Sequence, residues 1–145
     1  MAAIFTLLNG LRSCVSRLAG RYSIAYAILY GSAARGCLRR DSDVDVAVRS
    51  LRELGLWDVV DIALRLSDAV GLRVDVRTLS PGEDPVFAFE VFSTGRPIWI
   101  GDRGVYLRDY FKACKLYWDF KPLLERSFKR AVEWIRREAG AGEEG

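Results

Sequence analysis

The sequence predicts an α/β (α+β) fold, in which a small mixed β-sheet is covered by helices on one face and followed by C-terminal helices. An uninterrupted apolar run over residues 24–30 is typical of a strand buried on both faces. Two segments, 44–48 and 72–78, alternate apolar and polar side chains as half-buried strands do. Apolar residues at helical spacing precede, separate and follow these strands. With 145 residues, 50% of them hydrophobic, the chain fits one compact domain.

The first predicted element is an amphipathic helix from Ala2 to Leu18. Its apolar residues recur at the spacing of one helical face, namely Ile4, Leu7, Leu8, Leu11, Val15 and Leu18. Gly20 is a typical helix terminator, so we expect the helix to stop there. The apolar strand Ile24 to Tyr30 follows directly.

A second amphipathic helix is predicted between the two alternating strands. Ser50-Leu51-Arg52-Glu53 has the form of a capping box, in which the Ser and Glu side chains cap the helix start. Helical apolar spacing continues from Leu56 to Val70, and Gly71 is expected to end the helix. In the strand that follows, alternation places Asp75 on the face opposite the core, as it does Asp43 and Asp45 in the preceding strand.

The remaining elements are short at first and then helical. Asp84-Pro85 is expected to cap a helix that runs to about Thr94 and ends at Gly95. Pro97 to Ile100 is predicted to be a brief edge strand, because proline cannot donate to a ladder of backbone hydrogen bonds.

The C-terminal part is predicted to be two helices, beginning at Gly104 and separated at Lys121-Pro122, where proline interrupts the pattern. Aromatic residues between 106 and 120 follow helical spacing, which indicates packing but also leaves room for an exposed interface. We therefore divide the chain into a core, 1–101, a helical extension of the same domain, 102–139, and a flexible tail, 140–145.

Composition excludes several kinds of site. The chain has no histidine, so the usual general base and the commonest transition-metal ligand are both absent. Cys14, Cys37 and Cys114 are scattered without ligand spacing, which predicts neither a disulfide framework nor a zinc site. The net charge of +3 is too small to indicate a nucleic-acid-binding protein. With no apolar run near the roughly 20 residues of a membrane span, and no signal peptide, we expect a cytoplasmic protein.

The chemistry is concentrated in one strand–loop–strand segment. Gly31-Ser32 follows the apolar strand, and Asp43-Val44-Asp45 opens the next one. Asp43 and Asp45 project from the same side, where two like charges so close together favour a divalent cation. The glycine permits close approach of the backbone to a phosphate, and the serine hydroxyl can donate to its oxygens. Asp75 completes a trio that suits a nucleoside triphosphate with its metal.

This segment resembles the signature of the DNA polymerase beta-like nucleotidyltransferases, and most closely that of the minimal nucleotidyltransferases, which include antitoxins. The resembling residues are the Gly31-to-Gly36 stretch and Ser42-Asp43-Val44-Asp45, and the order of elements over residues 1–80 agrees with that family's core. The resemblance implies transfer of AMP from ATP to a hydroxyl with release of pyrophosphate. Larger relatives carry an appended domain that this chain lacks, which argues against extension of a nucleic acid.

The resemblance also implies roles for individual residues. Gly31 and Ser32 would hold the triphosphate, with Arg35 as a further nucleotide contact. Asp43 and Asp45 would bind Mg²⁺, and Asp75 would be the third catalytic and metal-binding carboxylate. The implied partner is a HEPN-type toxin modified on a tyrosine hydroxyl. Separately, the aromatic residues of the C-terminal helices predict a homo- or hetero-oligomer formed through these helices.

Other interpretations stay open. Gly31-Ser32 alone is an ordinary turn, and the two neighbouring aspartates alone are a solvated strand face. Asp75 has a structural alternative, as an ion-pair partner of Arg73 or Arg77.

Alternatives also exist for other residues and for the activity. Arg39 and Arg40 either steer a triphosphate or form a solvated basic loop. The activity has two alternatives: a non-catalytic antitoxin that acts by occlusion, and transfer to a small hydroxylated molecule. The basic face of the last helix is read as solvated, and direct nucleic-acid binding is not expected.

Overall fold

A computed structural model describes residues 2–37 and 43–143 of the chain. Along the chain these residues form four helices, four strands and one short 3-10 turn. The helices and strands are α1 (Ala2–Tyr22), β1 (Ile24–Tyr30), β2 (Val44–Ser50), α2 (Leu56–Val70), β3 (Val74–Thr78), α3 (Pro85–Thr94), β4 (Arg96–Ile100) and α4 (Arg103–Glu143), with the turn at Ala33–Arg35.

The strands form one mixed sheet in the order β3-β2-β1-β4. β1 is antiparallel to both β2 and β4, whereas β2 and β3 are parallel. β4 lies at an edge, as its proline predicted. The α/β fold with a small mixed sheet is therefore confirmed.

One face of the sheet carries α1 and α2. Their apolar sides bury Leu11, Val15 and Leu66 against Val46 and Val48 of β2 in one continuous core. This core uses the residues that alternate with the acids, so burial of the valines turns the neighbouring carboxylates to the opposite face.

The opposite face is covered only in part. Tyr26 and Tyr30 of β1 pack there against Phe87 and Phe92 of α3 and Val105 of α4. All seven residues of β1 are consequently buried, as its apolar sequence predicted. The sequence predicted helices on one face, and the structure adds α3 and the start of α4 on the other. The part of this second face that belongs to β2 and β3 carries the acids.

The predicted capping box at Ser50 is wrong. Ser50 is the last residue of β2, and its hydroxyl donates to the carbonyl of Tyr22 at 2.6 Å. α2 begins six residues later at Leu56, where the Asp58 carboxylate accepts from the backbone N–H of Gly55 at 3.0 Å. The strand continues because its last residue is buried between α1 and the sheet, which outweighs a local capping preference. The predicted end of α2 at Gly71 is confirmed, with φ of 69°.

Two further helix boundaries differ from prediction. α1 continues through Gly20 to Tyr22. Tyr22 is buried in the core, and this burial stabilises the last turn of the helix. The predicted break at Lys121-Pro122 is also wrong, since α4 is a single helix of 41 residues that contains Pro122. An ion pair spans the proline, between Lys121 and Glu125 at 4.0 Å, and Arg126 donates to the Pro122 carbonyl at 3.4 Å.

α3 has the predicted caps. The Asp84 carboxylate accepts from the backbone N–H of Phe87 at 3.1 Å, and Gly95 follows the last helical residue. Across the described residues, no helix is both long and apolar enough to cross a membrane.

Candidate active site

The backbone at the end of β1 makes a close turn beside a carboxylate. Gly31 has φ of +75°, and a Cβ at this position would collide with the Asp45 carboxylate oxygen. Both the left-handed backbone and the lack of space require glycine here. The turn therefore brings backbone to the edge of the acidic face.

Ser32 begins the 3-10 turn that follows. Its carbonyl accepts from the backbone N–H groups of Arg35 at 3.1 Å and Cys37 at 3.0 Å, so the turn is closed by its own backbone. Among the described residues, the Ser32 hydroxyl makes no capping hydrogen bond to this turn. It is half-buried, next to Gly31, and suited to donate to a phosphate oxygen.

The carboxylates come together through strand register. Asp45 of β2 and Asp75 of β3 are direct partners in the parallel pair, so both side chains project from the same face. Asp43 immediately precedes β2, two residues before Asp45, and belongs to that face by alternation. The predicted trio is thus assembled at the starts of two neighbouring strands.

The electrostatics of the trio show that the charges are close. Burial raises the pKa of Asp45, and the negative charges of Asp75 and Asp43 raise it further. Each named influence on this pKa therefore opposes the ionised carboxylate, and a bound cation would reverse that balance.

The three aspartates are not arranged as a metal-binding site in this structure. Asp43 forms an ion pair with Arg73, Nε to Oδ1 at 3.5 Å, with both side chains largely exposed. In the part of the chain that the structure describes, no three His, Cys, Asp or Glu side chains are arranged to hold a metal ion. Because an exposed ion pair contributes about 0–1 kcal/mol, Asp43 can rotate away from Arg73 at little cost. Carboxylate oxygens are hard ligands, the type that Mg²⁺ prefers.

The arginines near Asp75 are paired elsewhere. Arg73 contacts Asp43, and Arg77 lies 3.9 Å from Asp84. The ion-pair explanation of Asp75 therefore receives no support from the described contacts, and Asp75 is exposed.

Arg77 was placed on the charged face of β3 by alternation, but its contact with Phe87 was not anticipated. It lies two residues after Asp75, with its guanidinium 3.8 Å above the Phe87 ring. Tyr30 packs edge-on against the same ring at 5.3 Å. Burial, followed by the negative charge of Asp45, raises the pKa of Tyr30, and the positive charge of Arg77 offsets part of this rise. Alternation places the arginine on this face, whereas its position over Phe87 depends on the packing of α3 against the sheet.

The other predicted basic contacts are less defined. Arg35 is exposed at the end of the 3-10 turn, on the same loop as Gly31 and Ser32. Arg39 and Arg40 lie outside the described residues.

A buried polar cluster between α4 and the sheet was not anticipated. Asp109 of α4 is 4% exposed and accepts from the Tyr26 hydroxyl and from Arg49 Nε, each at 2.9 Å. Burial, followed by the negative charge of Asp109, raises the pKa of Tyr26, which stays a neutral donor. The cluster joins α4 to β1 and β2.

Comparison with protein families matches residues 13–104 to the family described as Polymerase beta, Nucleotidyltransferase. The matched range contains the Gly31-Ser32 turn, Asp43, Asp45 and Asp75, and ends at the second residue of α4. No curated protein matches the chain significantly.

Several solved structures share the fold. A toxin–antitoxin structure with AMP-PNP matches with a TM-score of 0.69 and 20% identity, over 83% of this chain and 98% of the other. A mutant of the MntA–HpeT toxin–antitoxin, in which two aspartates two positions apart are glutamates, matches at 0.71 and 19%, over 83% and 98%. A tri-AMPylated Shewanella oneidensis HEPN toxin in complex with MNT antitoxin gives 0.65 and 18%, over 84% and 96%.

At these identities the solved structures establish the fold, and the family match, which spans more than half of the chain, establishes the membership. The resemblance found in the sequence is confirmed. The chain belongs to the polymerase beta nucleotidyltransferase family.

Proposed function

We propose that this nucleotidyltransferase transfers AMP from ATP, with Mg²⁺, to a hydroxyl of a protein partner, and that the partner is a HEPN-type toxin modified on tyrosine. The observation that carries the proposal is the register pairing of Asp45 with Asp75, with Asp43 on the same face, beside the Gly31 turn. A chain of this family with such an acidic face is equipped for metal-assisted phosphoryl chemistry.

Each residue has a role that follows from its position. Asp43, Asp45 and Asp75 are the carboxylates that would hold Mg²⁺, and the backbone at Gly31 with the Ser32 hydroxyl would bind the triphosphate. Mg²⁺ supplies positive charge beside the phosphates when bound. Arg35, on the same turn, would be a further phosphate contact.

The transfer itself is a displacement at the α-phosphate. The acceptor oxygen forms a bond to this phosphorus as the bond to the β-phosphate oxygen breaks, and pyrophosphate leaves with the bonding electrons. The proton of the acceptor hydroxyl passes to a carboxylate, for which Asp75 is exposed and available. The protein orients the reactants and excludes misaligned attack.

A protein acceptor is supported by two observations. Asp43 and Asp75 are exposed on the uncovered part of the sheet face, so a bulky molecule can present its hydroxyl there. The structures that share the fold are described as toxin–antitoxin complexes, one of them with a tri-AMPylated HEPN toxin. The mutant with two aspartates changed to glutamates shows that a pair with this spacing has been altered in one of those proteins.

Labelled ATP tests the proposal. The chain, Mg²⁺ and the purified product of the adjacent gene, as the candidate toxin, are incubated, and the label is expected on that product, with a mass increase of one or more AMP units. An Asp43→Asn, Asp45→Asn variant should transfer none. Asp68→Asn, an exposed carboxylate on α2, is the matched control and should transfer normally. Label retained in the double variant would contradict the assigned site.

Occlusion remains a second candidate because of one observation, the large exposed apolar side chains of α4. In this case the toxin is neutralised by binding alone. Cells that express the toxin should then be protected equally by the wild type and by the Asp43→Asn, Asp45→Asn variant. Protection by the wild type alone would exclude occlusion.

A further inference from the structure

α4 has one apolar stripe with two different surroundings. In the first half, Tyr106 and Tyr117 lie on the stripe and pack against α3: Tyr106 contacts Phe92 with ring centroids 5.6 Å apart, and Tyr117 stacks on Phe89 at 3.9 Å. Ala113, between them on the same side, is fully buried. This half of the stripe is therefore part of the protein's own core.

The same stripe continues beyond the core. At 100° per residue, Leu124, Phe128 and Ile135 lie on the same side of the helix as Tyr106 and Tyr117. They are exposed, Phe128 by 73%. Residues 121–143 extend the helix by about 34 Å, at 1.5 Å per residue. A surface that faces the core over one half of the helix thus faces solvent over the other.

The exposed part is large enough to bind a protein. Phe120, Leu124, Phe128 and Ile135 lie on the stripe, and Leu123 and Trp134 extend the apolar surface on the flank opposite Lys129 and Arg136. These six side chains are between 43% and 73% exposed. With 150–250 Å² for an aromatic side chain and somewhat less for leucine or isoleucine, together they expose roughly 600 Å². This is at the upper limit for a monomer and close to the roughly 800 Å² that each partner buries in a standard interface.

The charges beside the stripe favour an acidic partner. Lys129 and Arg136 project from one flank, about 100–120° from the stripe's centre, while Arg126 and Arg137 lie on the far side of the helix. Residues 121–138 contain six basic and three acidic side chains. Among the described ion pairs of this segment, the Glu125 carboxylate pairs with the Lys121 ammonium at 4.0 Å.

These positions disfavour a second copy of the chain as the occupant. In a parallel pair, the cores of both copies would lie at the same end of the paired helices, where they would collide. An antiparallel pair would set the Lys129 and Arg136 flanks of both copies beside each other, and like charges at such positions repel.

We propose that the exposed stripe of α4 is the docking surface for a helix of the toxin, and that this helix has an apolar face flanked by carboxylates. The proposal rests on the proposed function for the identity of the partner. It separates two tasks within the chain, since docking uses α4 and transfer uses the acidic face at β2 and β3, outside this helix.

The test measures binding and transfer separately, with the purified toxin and two pairs of variants. Titration without ATP gives the dissociation constant. Leu124→Ser, Phe128→Ser should weaken binding at least 100-fold, and Lys129→Glu, Arg136→Glu about tenfold or more. Arg126→Glu, Arg137→Glu carries the same charge change on the far side of the same helix and should bind as the wild type does. Circular dichroism confirms that each variant retains its helix.

The outcomes distinguish the docking proposal from the proposed function. An Asp43→Asn, Asp45→Asn variant that binds normally but transfers no AMP, together with stripe variants that fail to bind, supports both. Transfer to the toxin with unchanged binding by the stripe variants overturns the docking surface and leaves the function intact. Binding through the stripe without transfer by the wild type overturns the function alone. A dimer of the chain by sedimentation, abolished by Leu124→Ser, Phe128→Ser, would show that a second copy covers the stripe.

Discussion

Asp45 and Asp75 are paired in register on parallel neighbouring strands, on a part of the sheet's second face that, among residues 2–37 and 43–143, α3 and α4 leave uncovered. Neighbouring strands lie about 4.8 Å apart, so two carboxylates held at this spacing repel. A folded protein tolerates such repulsion only when other contacts stabilise it by more than the repulsion costs. Here the buried valines on the other face of the same strands provide this stabilisation. The valines that bury the sheet thus also hold these two carboxylates side by side.

The first prediction concerns this repulsion. Like charges at this distance cost roughly 1 to 3 kcal/mol at effective dielectric constants between those of water and a protein surface. With EDTA present, Asp45→Asn should therefore raise Tm by a few degrees, because it removes the group nearest to the other two acids. Mg²⁺ should raise Tm of the wild type but not of the variant. A variant less stable than the wild type in EDTA would show that repulsion does not dominate at this position.

The second prediction concerns pH, at a carboxylate remote from the candidate site. The Tyr22 hydroxyl donates to Asp61, and this hydrogen bond, followed by that from Arg65, lowers the pKa of Asp61. Since the pKa is lower in the folded protein than in the unfolded chain, the stabilisation is present above the unfolded value and is lost as pH falls through the folded one. Asp61→Asn should therefore destabilise the protein at pH 7.

The measurement is urea unfolding of both proteins at pH 7 and at decreasing pH below 4. The difference in the free energy of unfolding should shrink as the carboxylate of the wild type becomes protonated. A difference that stays constant over this range would contradict the role of the ionised carboxylate. Asp68→Asn, on the exposed side of α2, controls for loss of a surface charge.

The fold was largely predictable because most of its elements have local signals. β1 is recognisable from seven consecutive apolar residues, and the acids on β2 and β3 from alternation with buried valines. The pairing of Asp45 with Asp75 was not predictable from alternation alone, since it depends on which strands are neighbours and in what register. At Pro122 a local signal gave the wrong prediction, because a residue that normally breaks a helix is tolerated within the long helix α4.

Contacts between residues far apart in the sequence were not predicted. Asp109 has the sequence context of an ordinary helical surface residue, and only the folded chain brings Tyr26 and Arg49 to it from 83 and 60 residues away. Arg77 similarly acquires its place over Phe87 from the packing of α3. No local pattern encodes either arrangement, because each joins elements that are far apart along the chain.

The third prediction uses two glycines with nearly the same backbone. Gly31 and Gly71 have φ of +75° and +69°, but a Cβ at Gly31 meets Asp45, whereas one at Gly71 meets nothing within 4 Å. Gly71→Ala should cost about 1 kcal/mol from backbone strain alone. Gly31→Ala should cost more, about 2 kcal/mol or above, because it adds the clash.

Activity separates the two variants further. Gly31→Ala should lower AMP transfer at least tenfold, because it displaces both the turn and the Asp45 carboxylate. Gly71→Ala should keep the wild-type rate at temperatures where it is folded. Equal activities in the two variants would show that the closeness of Gly31 to Asp45 is not needed for transfer.

The last prediction concerns the buried cluster that joins α4 to the sheet. Removal of one partner of a buried ion pair leaves the other charge without compensation, which costs about 3–5 kcal/mol when both are fully buried. The Asp109 side chain is 5% exposed but that of Arg49 is 27% exposed, so Asp109→Ala should cost about 2–3 kcal/mol. Tyr26→Phe removes only one hydrogen bond and should cost about 1 kcal/mol.

Urea unfolding measures these losses, and a double variant tests whether they are coupled. Because Tyr26 and Arg49 bind the same carboxylate oxygen, Asp109→Ala combined with Tyr26→Phe should cost less than the two single changes added together. Glu125→Ala is the surface comparison, since its ion pair with Lys121, at 4.0 Å, is exposed. A loss for Asp109→Ala no greater than that for Glu125→Ala would mean that α4 is held to the sheet by its apolar contacts alone.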